Sequence, residues 1–280
     1  MVFRATFDCL WCAQSHAVRG LDDLEGWAHL CPTCLGRAGD NGFLRMRLKT
    51  ALAERATAHQ SKASIAAWAA ASDDWYLRRG RYSRGPVHDL AWQADLDAAT
   101  VWLDRLPLRG EIVELAAGPG WWSPLLAQKG ALSIYDAVEA PLERARARLT
   151  AHGLRAHIHV RDAWAEPDRR VDALFTGVWL GHVPLVRLGE FLRLAHRWLR
   201  PGGIYAFIEA RPDPQSGAVE EAVVPDGEVS VRHGAGGPES AVPTVHYVPA
   251  DLEAALVGAG FGDATVSTTS RFFLLGRATA

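Results

Sequence analysis

The chain of 280 residues is long enough for one full domain with a substantial additional piece, or for two modest domains. Hydrophobic residues make up 49% of the chain and charged residues 22%, which excludes a wholly disordered, collagen-like or coiled-coil protein. The 30 basic and 32 acidic residues leave a formal charge of -2, so the chain lacks the basic footprint of a protein that binds a long polyanion, and nucleic acid is a disfavoured partner.

The N-terminus does not have the pattern of a signal peptide, because Asp8 stands where the apolar run would lie. No stretch reaches the roughly 18 consecutive apolar residues that a membrane span needs. We therefore expect a cytoplasmic protein with no membrane partner.

All four cysteines lie near the N-terminus in the spacing C-x2-C-x18-C-x2-C, at Cys9, Cys12, Cys31 and Cys34. Two such pairs can supply the tetrahedral thiolate shell of a structural zinc site. A disulfide pair or an iron–sulfur cluster is the alternative, and His16 or His29 could replace one ligand. Because four thiolates leave no open position on the metal, we predict that residues 1–42 form a zinc-ribbon-like module with structural Zn2+. Such a module would stabilise the fold or dock a partner rather than catalyse a reaction.

Residues 43–106 are predicted to be largely helical, since apolar residues recur at three- and four-residue spacing. The stretch DDWYLRRGRYSRGP, residues 73–86, interrupts this pattern with glycines and a proline and contains Tyr76 and Tyr82. It is either a packed aromatic connector or a lid over a ligand. We predict a helical bridge and lid over residues 43–106.

After Gly110, short apolar runs alternate with helical ones. Five runs are predicted strands: EIVELA, ALSIYD, AHIHVRD, VDALFTGVWL and GIYAFIEA. Helical stretches between them imply a parallel sheet covered on both faces, with the ligand at the carboxyl ends of the strands. A further helix, PADLEAALVGAG, precedes two runs, DATVSTT and RFFLLGRA, whose connection is too short for a crossover and which should therefore pair antiparallel. We expect an α/β domain over residues 107–280, doubly wound around a mostly parallel seven-stranded sheet, with an irregular insertion at residues 211–249.

The first of these strands runs into ELAAGPG, where glycines allow a backbone to approach a ligand closely. Ser123 stands where a dinucleotide fingerprint needs a third glycine, and no G-K-[ST] follows, so neither of those phosphate-binding loops is present. Asp136 ends the second strand 22 residues after Glu114, where a carboxylate can accept both hydroxyls of a ribose. Asp162 and Trp164 close the third strand, beside the expected position of the base.

With these residues in that order, residues 75–280 resemble the class I S-adenosylmethionine-dependent methyltransferases. ELAAGPG resembles the first motif of the family, with Ala116 in place of its first glycine. FTGVWLGHVP resembles the stretch that leads to the substrate side, and LRPGGIYAFIE resembles the entry to the fifth strand. The resemblance implies a Rossmann-like methyltransferase fold and S-adenosylmethionine as the cofactor.

The resemblance also implies roles for individual residues. Glu114 would support the loop and the methionine amino group, and Gly118 and Gly120, with Ala116, would form the backbone cradle. Asp136 would hold the ribose hydroxyls. Around the adenine, Ala137 and Val138 would flank the ring, Asp162 would bond its amino group and Trp164 would pack on its face. The other implied cofactor contacts are Ala163, Thr176, Tyr76 and Tyr82.

Methyl transfer from a sulfonium is an in-line displacement in which the protein aligns the acceptor and removes any proton. His182 follows the fourth strand and is the candidate catalytic base, because an imidazole can accept a proton near neutral pH. A histidine that only caps the turn is the alternative. Further candidates on segments expected around the acceptor are Tyr76, Tyr82, Arg211, His233, His246 and Tyr247.

We predict methylation of a small apolar or aromatic molecule of specialised metabolism, since the 11 Trp residues suit a site for such a ligand as well as ordinary packing. The fourth strand lacks the Asn/Asp-Pro-Pro-aromatic motif of nucleic-acid amine methyltransferases and the acidic pair of magnesium-dependent catechol enzymes. Two alternatives stay open: an RNA methyltransferase that grips RNA with its zinc ribbon, and a non-catalytic module that binds the cofactor and docks a protein. A homodimer is also left open.

Overall fold

The computed structural model describes residues 6–8, 14–17, 33–34, 70–183, 187–211, 221–223, 229–233 and 241–280. At the N-terminus, strands β1 (Thr6–Asp8) and β2 (Ser15–Ala17) pair antiparallel. Cys34 is buried in a helical turn at residues 33–34. Cys9, Cys12 and Cys31 lie outside the described residues, so the zinc-ribbon-like module stays a prediction.

Among the described residues, ten further strands follow, together with the last residues of a helix, 70–76, and five α-helices. The strands are β3 (Glu111–Leu115), β4 (Ala131–Asp136), β5 (His157–Val160), β6 (Val171–Gly177), β7 (Leu199–Ala210), β8 (Glu221–Val223), β9 (Val229–His233), β10 (Ala241–Val245), β11 (Gly262–Thr268) and β12 (Phe273–Thr279). The helices are α1 (Pro86–Arg105), α2 (Ser123–Lys129), α3 (Glu139–Ala151), α4 (Leu188–Trp198) and α5 (Pro249–Gly258). Among the described residues, none of the helices is long and apolar enough to cross a bilayer.

The main sheet has seven strands in the order β11-β12-β7-β6-β3-β4-β5. Strands β3 to β7 run parallel to their neighbours, whereas β12 pairs antiparallel with both β7 and β11. The predicted seven-stranded α/β sheet with an antiparallel end is confirmed. Because β4 and β5 lie on one side of β3 and β6 and β7 on the other, the strand order reverses next to β3, which is where open α/β sheets bind ligands.

Helices cover both faces of this sheet. The cluster of buried side chains on one face joins α1, α2 and α3 to the sheet, and the cluster on the other face joins α4 and α5 to it. Neighbouring residues of one strand belong to different clusters: Ile112 packs with the first cluster and Val113 with the second. A strand buried on both faces reads as a continuous apolar run, which is why β3, β4 and β6 were evident in the sequence.

The helix that precedes Gly80 continues further along the chain than the sequence indicated. Residues 70–76 are helical, so Tyr76 ends a helix instead of lying in an irregular connector, and Gly80–Tyr82 form a 3-10 turn. The reason is that Gly80, Gly85 and Pro86, the residues that break helices, all come after Tyr76. Residues 43–69 of the predicted helical bridge lie outside the described residues.

The segment predicted as an irregular insertion contains a second sheet, so that prediction was wrong for β8, β9 and β10. These three strands form an antiparallel sheet in which β9 is central and β10 and β8 are the edges. Alternating valines favour strands here despite the many glycines and prolines. Pro243 is accommodated because it lies in an edge strand, where one side of the backbone needs no ladder partner.

Candidate active site

The glycine loop, residues 116–120, connects β3 to α2 at the carboxyl end of the sheet. Gly118 and Gly120 have φ values of 54 and 71, in the left-handed region that glycine tolerates without steric cost. A Cβ on Gly118 would meet no atom within 4 Å, whereas a Cβ on Gly120 would lie 2.7 Å from Cβ of Ala145 in α3. Gly118 thus faces open space that a ligand could use, and Gly120 lets the loop pack on α3.

Ala116 is the departure from the family motif, and its backbone shows why glycine is usual there. Its φ is 51, a left-handed conformation that brings the Cβ of an alanine too close to the neighbouring backbone. The loop therefore retains its shape at some cost in stability.

Asp136 fixes two loops at the end of β4. Its Oδ2 accepts a hydrogen bond from Gly118 N at 2.9 Å, and its Oδ1 accepts one from Val138 N at 3.0 Å. The side chain is 5% exposed, and burial raises the pKa of this carboxyl, although the backbone N–H donors, including that of Ala137, act in the opposite direction. Each oxygen still has a lone pair, so a buried, already oriented carboxylate stands where a diol could be bound.

Asp162 lies close enough to Asp136 for its charge to raise the pKa of Asp136 further. Its Oδ1 accepts a hydrogen bond from Trp164 N at 2.9 Å, with the buried Ala163 between them. The two acids therefore lie at the carboxyl ends of the neighbouring parallel strands β4 and β5.

The Trp164 ring is partly engaged within the protein. The Arg187 guanidinium lies 4.0 Å from the ring centroid, and Phe191 packs edge-on at 5.3 Å. Because the guanidinium occupies one face of the indole, Trp164 does not offer both faces to a base.

Glu114 is 1% exposed, and its Oε2 accepts a hydrogen bond of 2.5 Å from the Ser123 hydroxyl. Burial raises the pKa of Glu114 to about 8, while the bond from Ser123 and the charge of Arg148 act to lower it. The sequence had marked Ser123 only as a missing glycine. The signal that could have revealed this pair is the position of Ser123 as the first residue of α2, directly after the loop that Glu114 precedes.

Aromatic rings pack around Trp121 and Trp122, the two residues that follow the glycine loop. Tyr76 stacks on Trp121 with ring centroids 4.4 Å apart and an interplanar angle of 7°. Trp122 Nε1 donates a hydrogen bond to the Tyr76 hydroxyl at 3.3 Å. A Cβ on Gly177 would lie 2.5 Å from Trp122 Cδ1, so the indole lies against the end of β6. Tyr82 is buried in the same apolar cluster.

The end of β6 turns sharply toward the expected acceptor. Val178 has a φ of 54, which is rare for a β-branched residue, and its N–H donates to Ile208 O at 2.7 Å. Thr176 does not lie open to a ligand: its hydroxyl bonds to the Tyr205 hydroxyl at 2.9 Å and the residue is buried. Strained backbone of this kind is concentrated at functional sites.

His182 ends the 3-10 turn Leu180–His182, which two buried side chains hold from opposite sides. Glu209 Oε2 accepts a hydrogen bond from Gly181 N at 2.9 Å. The Tyr247 hydroxyl lies 3.0 Å from Leu180 O and 3.1 Å from Val183 O and donates to this pair of carbonyls. Sequence reasoning missed Glu209, although its place at the end of β7, a strand predicted to reach the site, could have marked it.

The other candidates for the acceptor side are His246, Arg211 and His233. His246 is buried next to Tyr247 in the chain, and Arg211 N donates to Phe272 O at 2.8 Å at the far end of β7. His233 ends β9. Among the described residues, no three histidine, cysteine, aspartate or glutamate side chains are grouped to hold a metal ion.

Comparison with known proteins agrees with this fold. Residues 112–203 match a family model described as a methyltransferase domain. Comparison with the curated proteins gives no match. The chain is similar to DhpI in two solved complexes: DhpI-SAM-HEP, with 24% identity over 76% of this chain and 93% of that one and a TM-score of 0.56, and DhpI-SAH, with 22% identity over 79% and 97% and a TM-score of 0.55.

The chain is also similar to the 1,6-didemethyltoxoflavin-N1-methyltransferase of Burkholderia thailandensis, solved with bound 1,6-didemethyltoxoflavin and S-adenosylhomocysteine. The identity is 16% over 76% of this chain and 87% of that one, with a TM-score of 0.50. At these identities the likeness to the solved structures establishes a shared fold.

Proposed function

We propose that this S-adenosylmethionine-dependent methyltransferase transfers its methyl group to a small apolar or aromatic molecule. The observation that carries the proposal is the meeting of Asp136, Asp162 and the open side of Gly118 at the point where the strand order reverses. A diol-binding carboxylate beside an uncovered backbone loop suits a nucleoside with a charged amino-acid tail.

In this proposal, Asp136 binds the ribose hydroxyls and Asp162 the adenine amino group. Gly118 and Gly120 let the backbone approach the methionine moiety, and Glu114 lies behind that loop. The cofactor supplies an electrophilic methyl group on a sulfonium. The chain contributes orientation and excludes water on one side, where Tyr76 packs on Trp121 and Trp122, the residues that follow the loop.

His182 is proposed as the general base. An imidazole nitrogen of His182 would take the proton that the acceptor loses, while the cofactor would supply the electrophilic methyl group. A small acceptor is supported by the parts of the chain that enclose the end of β6. Trp122 lies against Gly177, and β10 of the sheet β8–β10 packs next to the 3-10 turn that contains His182. Two of the similar proteins support this class: DhpI is solved as a SAM-HEP complex, and the 1,6-didemethyltoxoflavin-N1-methyltransferase is solved with 1,6-didemethyltoxoflavin.

For the N-terminal module, we propose one structural Zn2+ bound by Cys9, Cys12, Cys31 and Cys34. Support comes from the antiparallel pair of β1 and β2, in which Asp8 lies opposite Ser15. The connection between these strands contains the first C-x2-C pair, which therefore belongs to a hairpin. Elemental analysis of the purified protein should find about one zinc per chain, and Cys12→Ser should lower that content. A zinc-free folded protein would contradict the proposal.

The test of the cofactor site is calorimetric titration with S-adenosylmethionine and S-adenosylhomocysteine, with NAD as the control ligand. Asp136→Asn should weaken cofactor binding by about 2 kcal/mol, or roughly 30-fold, because charge-assisted bonds to the ribose are lost. The exposed Asp104→Asn is the matched control and should bind as the native chain does. Unchanged affinity of the Asp136 variant would contradict the assignment of the ribose to this residue.

The acceptor class is tested by incubating the protein with labelled S-adenosylmethionine and sets of small aromatic and apolar compounds. Transfer of label to one of these compounds supports the proposal, and His182→Gln should then lower the transfer rate. Transfer to RNA instead, with retention on RNA that falls as salt rises, would overturn the small-molecule acceptor.

A further inference from the structure

We propose that Asp73 is a positioning residue for the cofactor: it fastens residues 70–82, the lid segment, onto the glycine loop, and the cofactor leaves only when this contact opens. The inference rests on the proposed function, because the loop that the lid segment covers is the one assigned to the methionine moiety.

An ion pair fastens the front of the lid segment to α3. The Asp73 carboxylate accepts hydrogen bonds from Arg144 Nη2 at 3.0 Å and from Arg148 Nη2 at 2.5 Å. Arg148 Nε also donates to Pro119 O at 3.2 Å, in the middle of the glycine loop. One guanidinium therefore bonds the lid segment and the loop at the same time.

Aromatic contacts continue this attachment over the residues that follow the loop. The Tyr76 ring lies flat on Trp121, and its hydroxyl accepts the bond from Trp122 Nε1. The Arg148 guanidinium lies 5.1 Å from the Trp121 ring centroid. With Asp73 in place, the lid segment therefore lies against Trp121 and Trp122, the two residues directly after the glycine loop, and we infer that it holds a bound cofactor from this side.

The rear of the lid segment is anchored differently, by buried aromatic contacts to α1. Trp92 Nε1 donates to Tyr76 O at 2.9 Å, Trp75 packs edge-on against Trp92 at 4.8 Å, and the Arg78 guanidinium lies 3.4 Å from the Trp92 centroid. Trp75 and Trp92 are buried.

The front contact is more exposed, since the side chains of Asp73 and Arg148 are 30% and 21% exposed and that of Arg144 is 39% exposed. Partly exposed ion pairs are weak and are screened by salt, unlike the apolar anchor. The lid segment therefore opens at the Asp73 end and turns about the Trp92 end.

The test is the rate at which labelled S-adenosylhomocysteine leaves the full chain when it is chased with excess unlabelled ligand. Asp73→Asn should raise this rate about tenfold, because the neutral amide loses the charge-assisted bonds to both arginines. Asp74→Asn is the matched control: it removes the same charge from the next residue, which is exposed, and should leave the rate unchanged. Asp73→Glu keeps the charge and should restore most of the native rate.

Salt provides a measurement that does not depend on a variant folding. Between about 0.05 M and 0.5 M salt, the release rate of the native chain should rise, whereas that of Asp73→Asn should change little. A native rate that is independent of salt, or an Asp73→Asn rate equal to that of Asp74→Asn, would overturn the inference. A native chain that binds neither S-adenosylmethionine nor S-adenosylhomocysteine would overturn the proposed function itself, which distinguishes the two failures.

Discussion

Ala116 has a left-handed backbone in the middle of the cofactor loop, with a φ of 51. Glycine carries no Cβ penalty in this region, although its unfolded state has more conformational entropy to lose. We expect Ala116→Gly to raise the free energy of unfolding by about 0.5 to 1 kcal/mol. The matched control is Ala117→Gly in the same loop, at a position without a left-handed φ, which should lower stability by a similar amount. Urea denaturation of both variants checks the prediction, and equal losses in both would contradict it.

Glu114 makes stability depend on pH, because its pKa is raised by burial from the ordinary 4.5 to about 8. Between these two values the folded chain holds a proton that the unfolded chain has released, so the free energy of unfolding should fall as pH rises. The contribution is at most about 1.4 kcal/mol per pH unit. Glu114→Gln should flatten this slope between pH 5 and pH 8, since the amide cannot ionise.

The control for Glu114 is Glu111→Gln, at the exposed start of the same strand, which should keep the slope. Denaturation midpoints at a series of pH values compare the two variants. Retention of the full slope in Glu114→Gln would assign the pH dependence to another group.

At the scale of elements, α1 is tied to the end of the sheet by a single buried carboxylate. Asp95 Oδ2 accepts hydrogen bonds from the Thr269 hydroxyl at 2.6 Å, from Arg271 N at 2.6 Å and from Phe272 N at 2.7 Å. Asp95→Ala would remove the acceptor that these three donors share, so we expect a loss of at least about 3 kcal/mol of unfolding free energy. Asp97→Ala, at an exposed position of the same helix, should cost less than about 0.5 kcal/mol. Chemical denaturation distinguishes them, and similar losses would show that Asp95 is not the anchor.

Strands buried on both faces could be predicted from the sequence, whereas contacts between residues far apart in the chain could not. The run EIVELA gave β3 to within one residue, because an apolar run bounded by breakers reflects burial directly. Asp73 and its arginines are 71 and 75 residues apart, and no local periodicity connects them. The sheet β8–β10 was missed because its glycines and prolines outweighed the valines until the pairing of strands was known.

At the scale of the whole molecule, two accessory parts meet the carboxyl end of one sheet. The lid segment reaches the glycine loop through Tyr76, and the sheet β8–β10 reaches the end of β6 through the chain after β10. The positions of Asp136 and Asp162 could be predicted, because parallel strands bring their carboxyl ends together. The contacts that the lid segment and the sheet β8–β10 make at this end of the main sheet could not be predicted, because they join separate parts of the chain.

Tyr247 joins the inserted sheet to the turn that carries His182, and its hydroxyl is the only part removed in Tyr247→Phe. Loss of the bonds to Leu180 O and Val183 O should free that turn, so we expect the methyl-transfer rate to fall about tenfold while the affinity for S-adenosylmethionine stays the same. Tyr205→Phe is the matched control, because Tyr205 is also buried but its hydroxyl bonds to Thr176 within the main sheet.

The two tyrosine variants should lose similar stability, and only Tyr247→Phe should lose transfer rate with the acceptor found by screening. If both variants transfer at the native rate, the turn does not need Tyr247 and is held by Glu209 alone. If both fall together, the effect belongs to the packing of this face of the sheet. If Tyr247→Phe lowers the transfer rate while its stability matches that of Tyr205→Phe, the inserted sheet contributes to the acceptor site.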